Sequence, residues 1–126
     1  MNAKPVVKWA GGKRQIIDKL IELMPNKYNH YFEPFVGGGA LLFELMPKNA
    51  TINDINEELI YIYKCLANIK DFKLLLEDLE EHERNHSEEY YYEIRELDRS
   101  SEYVDLPIWK KASRTIYLNK SCFNGL

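Results

Sequence analysis

The sequence predicts an α/β first half that gives way to an all-helical second half. Two short runs suited to strands, His30 to Glu33 and Ala50 to Asn53, alternate with helix-like segments across glycine, proline and asparagine breaks. From Asp71 onward no strand run recurs, and apolar residues repeat at helical spacing. Charge segregates along the same line. Residues 1–30 carry +4, residues 31–70 carry −2, residues 71–105 carry −9 and residues 106–126 carry +4, within a net charge of −3.

The elements follow in order. Lys13 to Met24 is expected to be an amphipathic helix, with Ile16, Ile17, Leu20, Ile21 and Met24 on one face and Pro25 ending it. The strand His30 to Glu33 leads into Gly37-Gly38-Gly39, and a short helix, Ala40 to Met46, closes at Pro47. After the second strand, Asn56 is the expected N-cap, with Glu57 and Glu58 in the favourable first turn. The helix it opens runs to about Ile69, is apolar nearly all round and is expected to be buried. Three further helices are expected: Asp71 to about His82, Ser87 to Arg99, and Asp105 to about Lys120. Residues 1–60 and 61–126 are taken as the two parts of the chain.

The composition bounds the function. The chain has 126 residues, 45% apolar and 29% charged, which suits one globular domain or a piece of a larger one. Its apolar runs are too short to span a bilayer, and no apolar block precedes Gly11 that would read as a signal peptide. Cys65 and Cys122 are isolated, which fits a reducing cytoplasm and neither CxxC redox chemistry nor a zinc ribbon. The basic ends keep nucleic acid open as a partner despite the acidic balance.

The densest chemical signal is Tyr31-Phe32-Glu33-Pro34-Phe35-Val36-Gly37-Gly38-Gly39. Glycines between a strand and a helix let backbone N–H groups approach a ligand with no Cβ in the way. Asp54 follows at the end of the next strand, where a carboxylate in a doubly wound fold accepts hydrogen bonds from ribose hydroxyls. The dinucleotide fingerprint G-x-G-x-x-G is not met, because Leu42 occupies its last position. A structural turn is the bland alternative. A second signal, Lys8-Trp9-Ala10-Gly11-Gly12-Lys13, is not a P-loop, since Val7 and Arg14 stand where that motif needs Gly and Ser/Thr. Trp9 offers a flat apolar surface, and Lys13, a cation at a helix start, calls for an anionic partner such as a ligand carboxylate.

These blocks, together with Asn53-Asp54-Ile55-Asn56 and Leu118 to Leu126, resemble in residues and order the adenine-specific DNA methyltransferases of the Dam and DpnII type. The resemblance implies a Rossmann-like catalytic half-domain that binds S-adenosylmethionine, followed by the all-helical start of an inserted target-recognition domain. It implies cofactor contacts at Trp9, Lys13, Glu33, Pro34, Phe35, Gly37, Gly39 and Asp54. It implies transfer of a methyl group to adenine in double-stranded DNA, with GATC the target expected from likeness. Company with a restriction endonuclease, in a restriction-modification system, is a further expectation. The family's Asp-Pro-Pro-Tyr block is missing, since no two of the five prolines are adjacent. The chain is therefore expected to be an N-terminal fragment, inactive by itself, whose catalytic residues lie beyond residue 126.

DNA contacts are expected on the basic last segment, at Lys110, Lys111, Arg114 and Lys120, because phosphate contact needs cations, and at the neighbouring Asn119 and Asn124. A solvated helix face is the alternative for these residues. Tyr90-Tyr91-Tyr92 would serve as a base-stacking platform; the favoured, plainer reading is that one or two of them pack a helix face and the third is solvated. His82-Glu83-Arg84-Asn85-His86 matches the zinc-protease pattern H-E-x-x-H. Ser87, Glu88 and Glu89 signal a new helix start, so the motif straddles a helix break and no metal site is assigned. The rival class is a helical DNA- or partner-binding module with no cofactor, which would bind DNA indifferently to S-adenosylmethionine.

Overall fold

A computed structural model describes residues 16–121. The chain falls into two units, the first reaching Ile55 and the second starting at Asn56. The helix opened by Asn56 goes whole with the second unit.

The first unit contains α1 (Ile17–Leu23), β1 (Tyr31–Glu33), α2 (Ala40–Leu45) and β2 (Ala50–Ile52). The strands pair in parallel, with Tyr31 opposite Ala50, Phe32 opposite Thr51 and Glu33 opposite Ile52. Side chains alternate across a strand, and β1 accordingly buries Tyr31 and Glu33 while Phe32 faces out. The pairing extends past both ends: Tyr31 N–H donates to the Asn49 carbonyl at 2.8 Å, and Asn53 N–H to the Glu33 carbonyl at 2.8 Å. His30 Nε2 lies 2.8 Å from Thr51 Oγ1, which adds a side-chain tie across the two segments. The apolar face expected for the first helix is not a buried one: no residue of α1 is fully buried, and Leu23 is 75% exposed. Residues 13–15, where that helix was expected to begin, lie outside the described residues.

The second unit is helical throughout: α3 (Glu57–Leu66), α4 (Ile69–Asn85), α5 (Glu88–Glu96) and α6 (Ile108–Ser121), with 3₁₀ turns at Leu97–Arg99 and Tyr103–Asp105. Each of the first three helices opens on a side-chain cap, which satisfies backbone donors that have no intrahelical partner. Asn56 accepts from Glu58 N–H at 2.9 Å, Asn68 from Lys70 and Asp71 N–H at 3.1 Å each, and Ser87 from Tyr90 N–H at 3.1 Å. The Asn68 cap corrects the expected run to Ile69: α3 stops at Leu66, and α4 starts at Ile69 and continues to Asn85. Burial on all sides of α3 is corrected too. Leu59, Ile62 and Cys65 are buried on one face, whereas Lys64 and Leu66 are exposed. Pro107 delays α6 beyond the expected Asp105, and its carbonyl receives the Lys110 and Lys111 N–H groups at 3.0 and 3.2 Å.

Helix α6 is the hub, packed against α3, α4 and α5. Ala112 and Ser113 are fully buried, and small residues there let neighbouring helices approach closely. Ile116 and Tyr117 complete a core with Leu59, Ile62, Cys65, Leu75 and Tyr91. Among the described residues, no helix is long and apolar enough to cross a membrane.

Arg114 departs from the solvent-facing role expected of it. Only 7% exposed, it donates from Nε to the Ile94 carbonyl at 3.0 Å and from a terminal nitrogen to the Arg95 carbonyl at 2.9 Å. These are carbonyls of the last turn of α5, where Ile94 also receives the Leu97 N–H. The same guanidinium reaches Asp98 at 3.3 Å and lies over the Tyr103 ring. Asp98 is half exposed, so solvent screens that pair and the carbonyl bonds carry most of the effect. Arg114→Leu is expected to lower unfolding stability by about 2–3 kcal/mol, since two charge-assisted hydrogen bonds to the end of α5 are lost. Urea denaturation checks this; an unchanged midpoint would contradict the clamp.

Candidate functional site

The glycine loop is built from the end of β1. Pro34 follows the strand and cannot donate to a ladder. Val36, 3% exposed, anchors the loop beneath and donates its N–H to the Asn53 carbonyl at 2.9 Å. Gly37 and Gly39 take φ values of 54° and 84°, the left-handed region where a Cβ would clash. Gly39 N–H donates back to the Val36 carbonyl at 2.9 Å, and the Gly39 carbonyl receives Phe43 N–H at 2.9 Å, which starts α2.

Asp54 closes the arrangement. Its Oδ2 accepts the Gly37 N–H at 3.0 Å, so the loop and the acid meet beyond the C-terminal ends of two parallel strands. That is the end of an open α/β sheet at which ligands bind. The sequence pattern marks Asp54 at the end of the second strand; its hydrogen bond to the loop has no sequence signal.

Glu33 is 5% exposed at the last position of β1, and Tyr31 donates its hydroxyl proton to Glu33 Oε2 at 2.6 Å. Burial, and then the neighbouring Glu33, push the Tyr31 hydroxyl well above the ordinary phenol range, so it remains a donor at neutral pH. This pair was missed in the sequence, although residues two apart on a strand share a face. Pro34 and Phe35 are exposed beside the loop, Phe35 by 64%. Trp9 and Lys13 lie outside the described residues.

In the helical unit, Lys110 and Asn119 are half-buried and Lys120 is exposed. Arg114 is taken up by α5, as described above, and Asn124 lies outside the described residues. Lys111 folds back on its own unit: its Nζ donates to the Val104 carbonyl at 3.1 Å and sits 5.2 Å from the ring centres of both Tyr61 and Tyr103. Glu58 accepts from the hydroxyls of Tyr103 and Thr115.

The two histidines of the H-E-x-x-H match serve packing. His82 is the last-turn histidine of α4 and His86 its C-cap. His82 Nδ1 lies 2.6 Å from the Tyr90 hydroxyl, and His86 Nδ1 lies 2.7 Å from the Tyr117 hydroxyl. His82 also stacks on Tyr117, with ring centres 4.9 Å apart, and its Nε2 is 3.2 Å from Asp78 Oδ2. Of the tyrosine run, Tyr91 is in the core, Tyr90 is half-buried against His82, and Tyr92 is exposed. Two of the tyrosines thus pack and the third is solvated, the plainer of the two readings of the run.

Comparison with known proteins decides the family. The model of the D12 class N6 adenine-specific DNA methyltransferases matches residues 9–126. The chain belongs to this family. It is 46% identical, over its whole length, to the type II methyltransferase M1.LlaDCHI of Lactococcus lactis subsp. cremoris, covering 44% of that protein. It is 37% identical, again over its whole length, to the type II methyltransferase M.MjaIII of Methanocaldococcus jannaschii, covering 48% of it. Over 98% of its length it is 32% identical to a DNA adenine methylase of Haemophilus influenzae, covering 42% of that protein. The chain thus spans less than half the length of these curated relatives. As a D12-class chain it combines helices with a small sheet, and the loop latched by Asp54 lies inside the matched region.

Asp78 supplies a pH test of the helical unit. Burial alone would push its carboxyl up, but contacts from His82 and Ser113 and the charges of His82 and Lys110 outweigh that and hold it below the ordinary value of 3.8. A carboxyl depressed in the folded state contributes stability above its unfolded pKa and loses it as pH falls through the folded one. Chemical denaturation of the wild type is therefore expected to weaken below pH 3.8 more steeply than that of Asp78→Asn. Parallel acid profiles for the two would contradict the assignment.

Proposed function

We propose that this chain is the N-terminal part of a DNA methyltransferase that moves a methyl group from S-adenosylmethionine to the N6 atom of adenine in double-stranded DNA. In that reading the first unit is a Rossmann-like half-domain, and the helical unit begins a target-recognition domain inserted into it. GATC is the target we propose, within a restriction-modification system in the cytoplasm, and the catalytic Asp-Pro-Pro-Tyr block belongs to the remaining length of the enzyme. The chain alone is then inactive.

The observation that carries this reading is the Gly37 N–H to Asp54 hydrogen bond. It sets an acid beside a loop whose positive φ angles leave room for close approach to a ligand, a room that a Cβ would fill. A nucleoside fits such a site, with ribose hydroxyls donating to Asp54 and the loop backbone against the nucleoside. Glu33, Pro34, Phe35, Gly37 and Gly39 would form the wall, with Trp9 and Lys13 joining from the N-terminal segment. When bound, S-adenosylmethionine supplies a methyl group made electrophilic by its sulfonium. The chain's part is to hold that group in line for the adenine amine, which is extruded from the duplex. Lys110, Asn119, Lys120 and Asn124 would face the DNA, the lysines toward phosphates. Arg114 is left out of this set because its guanidinium caps α5.

The test is calorimetric titration of S-adenosylmethionine into the whole enzyme and its Asp54→Ala variant. Loss of hydrogen bonds to a charged acceptor, about 1.5–3 kcal/mol, predicts an affinity about ten- to a hundredfold weaker. Asp54→Asn keeps an oxygen for Gly37 and is expected to fall between the two. Equal affinity for all three proteins would refute the role.

A further inference from the structure

We infer that His82 and His86 are positioning residues for the DNA-facing end of α6, acting through Tyr117. This rests on the DNA reading above. The Tyr117 hydroxyl lies 2.7 Å from His86 Nδ1, and Ser121, one helical turn further on, contacts the same hydroxyl. The buried Tyr117 ring meets three others. His82 stacks on it at 4.9 Å with the planes 21° apart, and His86 and Tyr90 meet it edge-on at 5.6 and 5.7 Å. His82 is itself held from both ring nitrogens, by the Tyr90 hydroxyl at 2.6 Å and by Asp78 at 3.2 Å. The end of α4 and the start of α5 thus grip one side chain of α6 by its ring and by its hydroxyl. Apolar packing would bury that ring as well, but it is non-directional, whereas hydrogen bonds fix an orientation.

The gripped residue stands one turn before Ser121, where α6 ends. The last carbonyls of a helix lack intrahelical partners, so the final turn is the part that frays first. Side chains step round a helix by about 100° per residue, which puts Asn119 about 200° and Lys120 about 60° round the axis from Tyr117. Lys120 is exposed and Asn119 half-buried, and both belong to the proposed DNA face. Holding Tyr117 fixes the rotation of the last turn, and with it the directions in which these two side chains leave the helix. The histidines of the H-E-x-x-H match thereby set the approach of the basic segment to phosphate, and neither need touch DNA itself.

The experiment measures binding of the whole enzyme to a short DNA duplex carrying GATC, by fluorescence anisotropy over a range of salt concentrations. It compares the wild type, Tyr117→Phe, Lys120→Ala and the double variant. Tyr117→Phe retains the ring and removes only the hydroxyl. Each single variant is expected to weaken binding about fivefold, the scale of one net hydrogen bond, while Tyr117→Phe leaves S-adenosylmethionine affinity within about twofold. Each is also expected to flatten the salt dependence of binding by about one phosphate contact. The double variant is expected to lose little beyond either single one, since a lysine already misdirected has no contact left to remove. His86→Ala, at an exposed position, should repeat the Tyr117→Phe pattern, which keeps the inference testable if that variant is poorly folded. Losses that multiply in the double variant, or a Tyr117→Phe enzyme that binds DNA like the wild type, would overturn the positioning role while leaving the DNA reading standing. A wild type that does not bind the duplex, or a Lys120→Ala enzyme that binds it unchanged, would bring down the DNA face and this inference together.

Discussion

One hydrogen bond organises the first unit: the Gly37 N–H held by the Asp54 carboxylate. A loop between a strand and a helix leaves backbone donors unpaired, and a buried N–H left that way is costly. Here the loop spends its N–H groups on fixed partners, Val36 on the Asn53 carbonyl and Gly37 on Asp54, so that β2 dictates the course of the turn after β1. The left-handed angles at Gly37 and Gly39 are the condition for that course. Without the parallel register that sets Glu33 beside Ile52, Asp54 would not reach the loop.

The helical unit depends on a different constraint, the burial of one face of α6. Ala112 and Ser113 bring its backbone close to its neighbours, and Arg114 on the same face uses its charge to satisfy the carbonyl end of α5. A basic helix can therefore be read in two ways at once. Arg114 is buried and caps carbonyls, Lys111 lies over Tyr61 and Tyr103 at the surface of its own unit, and Lys120 remains in solvent. Charge counted along a sequence does not separate these uses.

Much of the arrangement was legible beforehand. The strands at Tyr31 and Ala50, the glycine loop between them and the Asn56 cap each have a local cause: β-forming runs, glycine punctuation, and a side chain that bonds the backbone two residues on. The Asn68 cap has the same local cause, but it lies in an otherwise apolar stretch and the periodicity there reads through it. Other features need the third dimension. The exposure of α1, the capture of Arg114 by α5 and the Tyr31–Glu33 contact depend on which elements meet, and helical periodicity is silent about partners. The H-E-x-x-H match shows the converse: the residue types were right for metal chemistry, yet His82 and His86 each face a tyrosine hydroxyl.

The central claim is that the glycine loop and Asp54 form one nucleoside cradle. Titration of S-adenosylmethionine into the whole enzyme, labelled with ¹⁵N at glycine and aspartate and followed by nuclear magnetic resonance, tests it most directly. The account predicts that the amides of Gly37, Gly38, Gly39 and Asp54 shift together along a single binding curve. Saturable binding that leaves those four amides unmoved would contradict it.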